Sequence, residues 1–236
     1  MTAGRGRIAS LRILTLAPRV RFGLIRDSLV LPNPAAAQTM TPVLTGLNAD
    51  EASVDPGWNA PDAAALQSVF KSRFADQAPC FAALYSTGAA ADARVTVQTM
   101  LRDRGVAAML LWAQARVSGS PPVYAYLFGH VEPGTDATRF GVFHSAEIPY
   151  VFDMLIPAWR PFTAQDRQLA ATVGAYWANF VKTGNPNGPG LKVWPDLSRG
   201  ELMELGDRVG PRAALSPDKL ASYRAYAGAG GALGIF

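Results

Sequence analysis

Two histidines, His130 and His144, and one cysteine, Cys80, are the side chains best suited to acid–base or nucleophilic work in this chain. Imidazole titrates near neutrality, so a histidine in a loop beyond a strand can take and return a proton at physiological pH. It then needs a carboxylate to fix its tautomer and stabilise its charged form. Both histidines fall in a loop-rich stretch, residues 129–161, and on spacing alone they are equal candidates. A loop histidine is also a common structural residue, so spacing does not decide between roles. Cys80, in Ala78-Pro79-Cys80-Phe81, is expected to be a small buried apolar residue. One cysteine excludes an intramolecular disulfide. No histidine–cysteine–carboxylate spacing suggests a metal site, and no phosphate loop or dinucleotide fingerprint occurs, so no cofactor is expected.

These residues need a frame. Residues 42–47 form a short apolar run whose Gly, Pro and Asn punctuation favours a buried strand. It runs into Asn48-Ala49-Asp50-Glu51, a polar turn at the carboxyl end of the strand, where open α/β sheets build their sites. Residues 61–110 read as broken helix, with Asp62 as a cap for Leu66, Val69 and Phe70. Residues 89–109 are Ala- and Arg-rich and punctuated by Gly105, and residues 108–117, with Leu110, Leu111 and Trp112, read as a buried helix end. After the breaker Ser118-Gly119-Ser120-Pro121-Pro122, residues 123–128 are the strongest strand, aromatic and β-branched. Thr163 and Asp166 form a capping-box variant ahead of Leu169, Val173, Tyr176, Trp177, Phe180 and Val181 at helical spacing. Lys182 and Gly184 suit that helix's end. Residues 202–205 read as a short edge strand. Upstream, residues 26–32 read as an extended piece and 33–40 as an Ala-rich loop.

Strand, helices, strand, long loop, helix and strand together make an α/β architecture. About three strands are few for so many apolar helices, so the sheet is expected to find partners outside this chain. Composition agrees with a globular class: 49% apolar and 17% charged residues in 236. The net charge of +4 comes from scattered Lys and Arg, with no basic helix face, so nucleic acid is not an expected partner. No apolar run reaches the roughly 18 residues that span a bilayer. The basic and apolar start is interrupted by Arg12 and lacks a clear cleavage site, so it makes no convincing signal peptide, and the compartment is left open.

Four motifs, in order, resemble the type-B carboxylesterases, the cholinesterase-like branch of the α/β-hydrolases. Asn48-Ala49-Asp50-Glu51-Ala52-Ser53 resembles the family's acid turn, and Phe143-His144-Ser145-Ala146-Glu147-Ile148-Pro149-Tyr150-Val151-Phe152 its histidine loop. Tyr176-Trp177-Ala178-Asn179-Phe180 with Thr183-Gly184-Asn185-Pro186-Asn187-Gly188 resembles its C-terminal helix and turn, and Val193-Trp194-Pro195 with Met203-Glu204-Leu205-Gly206 continues the likeness. The resemblance implies an incomplete α/β-hydrolase fold over residues 22–226, made of the C-terminal strands and helices of the central sheet. An irregular segment 1–21 and a flexible tail 227–236 would flank it. It implies Glu51 as the acid of a catalytic triad, His144 as the base, and Asp103 and Glu147 as carboxylates supporting them. The substrate of the complete enzyme would be a small-molecule carboxylic ester, and complete relatives of this kind include secreted proteins.

The departure is the nucleophile. The family's elbow needs G-x-S-x-G, because a strained strand-to-helix turn must expose the serine. Three Gly pairs have that spacing, around Pro186, Arg208 and Ala232, and none encloses a nucleophile. Ser53, Ser86, Ser118, Ser120 and Ser145 lack the strand–turn–helix context, although Ser145 adjoins His144. In this fold the serine precedes the acid in the chain, and the glycine-rich oxyanion segment is absent too. The chain alone is therefore expected to be inactive, with an N-terminal esterase half carrying the serine as its implied partner. The sequence is also compatible with two other readings: a non-catalytic esterase-like interaction module, and a gene remnant. Tyr150, Phe152, Phe143 and Trp159 could line an acyl or alcohol pocket, but packing under the histidine loop is the simpler expectation for each.

Overall fold

A computed structural model describes residues 41–53, 55, 57–60, 62–85, 92–134, 136–157 and 160–234. The expectations for residues 1–40, Ser86 and Trp159 lie outside the described residues. Four strands, β1 (Val43–Asn48), β2 (Val123–Phe128), β3 (Glu201–Leu205) and β4 (Val209–Ala213), form one sheet in the order β1-β2-β3-β4. The first three run parallel and β4 antiparallel to β3. All six residues of β2 are buried, as a strand covered on both faces must be, which is why Val123-Tyr124-Ala125-Tyr126-Leu127-Phe128 reads as an uninterrupted apolar run.

Alternation along β2 sorts its side chains into two cores. Val123, Ala125 and Leu127 pack with Leu47, Leu202, Val106 and Leu110, the last two from helix α3 (Ala93–Gln114). Tyr124, Tyr126 and Phe128 face the other way and pack with Leu169, Val173 and Tyr176 of helix α6 (Ala164–Thr183) and with Trp194. The Trp194 indole N–H donates to the Ala125 carbonyl at 3.0 Å, so its one polar atom is satisfied in the interior. Helices α1 (Ala63–Phe74), α2 (Ala78–Tyr85) and α7 (Pro217–Gly228) build a third, aromatic cluster against α3, in which the rings of Phe74 and Phe81 stack at 3.7 Å. Asp62 caps α1 as expected, accepting from the Ala65 N–H. Beyond α7, the buried Arg104 guanidinium donates to the carbonyls of Ala232 and Gly234.

Some local expectations are corrected. Residues 201–205 are an inner strand, because β4 covers their outer side; Pro211 is tolerated there since β4 lies at the end of the sheet. Residues 93–114 are one helix through a buried Gly105, and Trp112 on it is half exposed, beneath the Arg116 guanidinium at 5.2 Å. Cys80 is exposed, because α2 turns Phe81 and Tyr85 inward instead. No described helix is long and apolar enough to cross a membrane.

Candidate active site

At the carboxyl end of β1 the chain turns sharply: the Glu51 N–H donates to the Asn48 carbonyl at 3.1 Å and the Ala49 N–H to that of Phe128 at 2.8 Å. This turn docks on the segment that leads into the histidine loop. The Asp50 N–H donates to the Val142 carbonyl at 3.0 Å, and the Asp50 carboxylate accepts the Val142 N–H at 2.7 Å. Gly141, with φ +55°, permits that approach, since a β-carbon there would overlap the Asp50 carboxylate. Arg102 of α3 completes the brace, donating to Asp50 Oδ1 at 3.1 Å and to the Ala49 carbonyl at 2.6 Å.

The docking brings Glu51 and His144 together across 93 positions of sequence. His144 Nδ1 is hydrogen-bonded to Glu51 Oε1, while Glu51 Oε2 accepts the Asn48 backbone N–H at 2.8 Å. Glu51 is largely buried and His144 is 68% exposed. The hydrogen bond and charge of Glu51 hold the His144 imidazole above its ordinary range; slight burial opposes this and the charge of Glu147 adds to it. In the neutral ring the carboxylate fixes the proton on Nδ1, which leaves the Nε2 lone pair outward as an acceptor. Ser145, directly after, sits at φ +76°, an unfavourable conformation for a residue with a β-carbon.

A second carboxylate lies behind the pair. Glu147 accepts from Asn48 Nδ2 at 2.6 Å and from the Tyr126 hydroxyl at 3.2 Å. The same Asn48 Nδ2 donates to the Phe143 carbonyl at 2.9 Å. Burial first, and the Glu147 charge next, push the Tyr126 hydroxyl far up, so it remains a donor. Gly46 makes room for this arrangement: it is paired with Tyr126 in register, and a β-carbon there would overlap the tyrosine ring. A short helix, α4 (Ala137–Phe140), precedes the histidine loop, and the loop's far end, helix α5 (Ile148–Val151), is anchored through Tyr150, which is fully buried and donates to Asp166 at 2.7 Å.

The other sequence candidates lie elsewhere. His130 is buried between Asp166 and Asp207, with each ring nitrogen 2.8 Å from a carboxylate oxygen, so it belongs to the α6 anchor. The structure does not bring Asp103 to the Glu51–His144 pair. Its carboxylate takes the Tyr85 hydroxyl at 2.9 Å and the Lys219 ammonium at 2.5 Å, because successive helical residues point about 100° apart and it is Arg102 that faces the turn. Phe152 is 67% exposed and Phe143 only partly buried against the core. Asn48, Asp50, Arg102 and Tyr126 complete the cluster; the first two lie in the acid turn without a role assigned to them by the sequence, and the last two carry no sequence signal of a site.

Residues 17–215 match the model of the carboxylesterase family. The chain belongs to the carboxylesterase family. Carboxylesterases are carboxylic ester hydrolases, and the four-stranded, mostly parallel sheet described above is a fragment of the α/β-hydrolase fold. Carboxylesterase 4A of Bos taurus is 34% identical over 113 residues, which cover 44% of this chain and 19% of that protein. Acetylcholinesterase of Danio rerio is 33% identical over 96 residues, 38% of this chain and 15% of the relative. Cocaine esterase of Homo sapiens is 38% identical over 84 residues, 34% and 15% respectively. The matched part thus spans 15–19% of the length of these relatives.

Proposed function

We propose that this chain supplies the acid and base, Glu51 and His144, of a serine carboxylic ester hydrolase whose nucleophile comes from outside these 236 residues. The observation that carries this reading is the Glu51–His144 hydrogen bond through Nδ1, with Nε2 directed away from it. That is the arrangement a general base needs: a carboxylate fixes the ring, and the opposite nitrogen takes the proton of the attacking hydroxyl. His144 Nε2 would accept the serine proton during attack and return it to the departing alcohol; Glu51 would stabilise the imidazolium in between. Glu147 adds negative charge behind the ring without touching it.

The exposed apolar side chains that flank the loop support an additional covering part. Phe152 is 67% exposed, Met154 47%, Ile148 46% and Phe140 40%, and large apolar side chains grouped along one loop mark surfaces that bind. Among the described residues β1 pairs on one side only, with β2, and an open strand edge is a ready template for a further strand. An N-terminal esterase part with a G-x-S-x-G turn would meet both surfaces. Residues 22–226 then form the C-terminal portion of the domain, with 1–21 and 227–236 as its flanks. The substrate class is a small-molecule carboxylic ester.

The test is hydrolysis of p-nitrophenyl acetate by the purified chain, beside His144→Ala and a fluorophosphonate probe. The chain alone is expected to show no His144-dependent rate and no labelled serine. A rate lost in His144→Ala, with one serine of this chain labelled, would overturn the proposal that the nucleophile lies elsewhere.

A further inference from the structure

Asn48 is the last residue of β1 and is fully buried. It bonds the acid, Glu51, and the loop that carries the base, His144, and is itself neither acid nor base. Its backbone N–H holds Glu51 Oε2 at 2.8 Å. Its side-chain amide holds the histidine loop on both sides of His144, donating to the Phe143 carbonyl at 2.9 Å and to Glu147 at 2.6 Å. The amide oxygen, Oδ1, has no hydrogen-bond partner among the described residues. The side chain is thus buried for the sake of its donors, at a site where an unpaired polar atom is costly.

We propose that Asn48 is the positioning residue of this site: one residue, through its main chain on the acid and its side-chain amide on the loop, sets the distance and orientation between Glu51 and His144. The proposal rests on the reading of that pair given above. The chemistry of the position is restrictive. A planar amide offers two N–H donors at the right reach for a carbonyl and a carboxylate. Asp has the same shape and no donor, Leu has the shape and no polarity, and Ser is too short to reach both partners. Tyr126, from the neighbouring strand, secures the other oxygen of Glu147 and so keeps the amide's target in place. Asp50 and Arg102 brace the same turn from the α3 side, but they bond Val142 and Ala49, one step away from the pair.

The division between main chain and side chain makes the idea testable. Substituting the side chain leaves the N–H to Glu51 in place and releases only the loop. The chain has two histidines, so the His144 imidazole signals can be assigned with His144→Gln and followed by NMR across pH. In the unaltered chain His144 is expected to titrate above a free imidazole, and Glu51→Gln should abolish that elevation. Asn48→Ser and Asn48→Leu should lose most of it while keeping native near-ultraviolet dichroism. In the Glu51→Gln background the Asn48 substitutions should have no further effect, since Asn48 acts through the pairing. A residue that only supports the fold would lower the unfolding midpoint and leave the titration of the folded variants unmoved.

Unchanged His144 titration in folded Asn48→Ser or Asn48→Leu overturns the positioning role. Should neither variant fold, the unaltered chain decides. Its Asn48 side-chain NH2 signals are expected to exchange slowly and to shift with the His144 midpoint, and signals indifferent to that midpoint overturn the role equally. If the elevation is missing from the unaltered chain, or survives Glu51→Gln, the reading of the Glu51–His144 pair itself fails, an outcome distinct from failure of Asn48 alone.

Discussion

Replacing Asp166 by Asn tests how the histidine loop is anchored. The Asp166 carboxylate is 1% exposed, and its two oxygens have separate duties. One accepts from the Tyr150 hydroxyl at 2.7 Å and faces His130 Nε2 at 2.8 Å. The other accepts the Thr163 N–H at 2.7 Å and its hydroxyl at 2.6 Å, closing the capping box of α6. An asparagine must put its NH2 against one of these donor pairs. Facing Thr163 it forfeits the backbone cap, since that N–H can only donate, while the threonine hydroxyl rotates to accept; facing Tyr150 and His130 it keeps the cap but requires the tyrosine hydroxyl, or an imidazole with its proton on Nδ1, to accept instead. In either orientation the carboxylate's charge-assisted bonds become neutral ones and a buried donor must lose or change its partner, a loss of about 2–3 kcal/mol. Urea unfolding followed by tryptophan fluorescence measures it.

The acid limb carries a second signature. Burial raises the Asp166 carboxyl, but hydrogen bonds from Thr163, Tyr150 and His130 outweigh that and hold it well below the usual carboxylate range. A carboxyl depressed in the folded state contributes stability that is present above its unfolded value, near pH 4, and is lost as pH falls through the folded one. The unaltered chain should lose stability on acidification below about pH 4, and Asp166→Asn should lack that part of the slope. A variant within about 0.5 kcal/mol of the parent, with the same acid limb, would refute the anchoring argument.

Gly141→Ala should cost about 2 kcal/mol or more from its positive φ and the clash with Asp50, and the His144 signals should move with it; normal stability and unmoved signals would show that the Asp50–Val142 docking tolerates a methyl group. The raised His144 imidazole implies the opposite sign to Asp166: its contribution to stability is complete below about pH 6.5 and is lost as pH rises through the folded value. Because His144 is 68% exposed the effect is small, and comparison of the pH–stability slopes of the parent and His144→Gln above neutrality measures it, with identical slopes counting against the pair.

Much of the frame could be read from residue order. β2 and α6 announce themselves, the first by a six-residue apolar run and the second by Thr163, Asp166, helical spacing and Gly184, and each is formed by contacts that follow directly from those patterns. β4 was illegible because Gly210 and Pro211 read as breakers; only the sheet edge tolerates the missing donor. Helix α7 left no strong pattern, because only Leu220, Tyr223 and Tyr226 interrupt a run of Lys, Arg, Asp and small residues. Within the site, the acid turn and histidine loop were legible as motifs, but not the atoms between them. Asn48 reaches Glu147 across 99 positions, and Tyr126 reaches it only because Gly46 lacks a side chain. Asp103 was expected at the site on likeness, whereas helix geometry gives that direction to Arg102.

Reconstitution tests whether Glu51 and His144 serve a serine supplied from outside this chain. A carboxylesterase segment that carries its G-x-S-x-G serine and stops before its acid turn is mixed with this chain, co-elution is verified, and p-nitrophenyl acetate hydrolysis and fluorophosphonate labelling of the serine are followed. A rate and a labelled serine that need both pieces, with the rate lost in His144→Ala or Glu51→Gln, are expected. A complex whose rate is indifferent to His144→Ala would contradict that role.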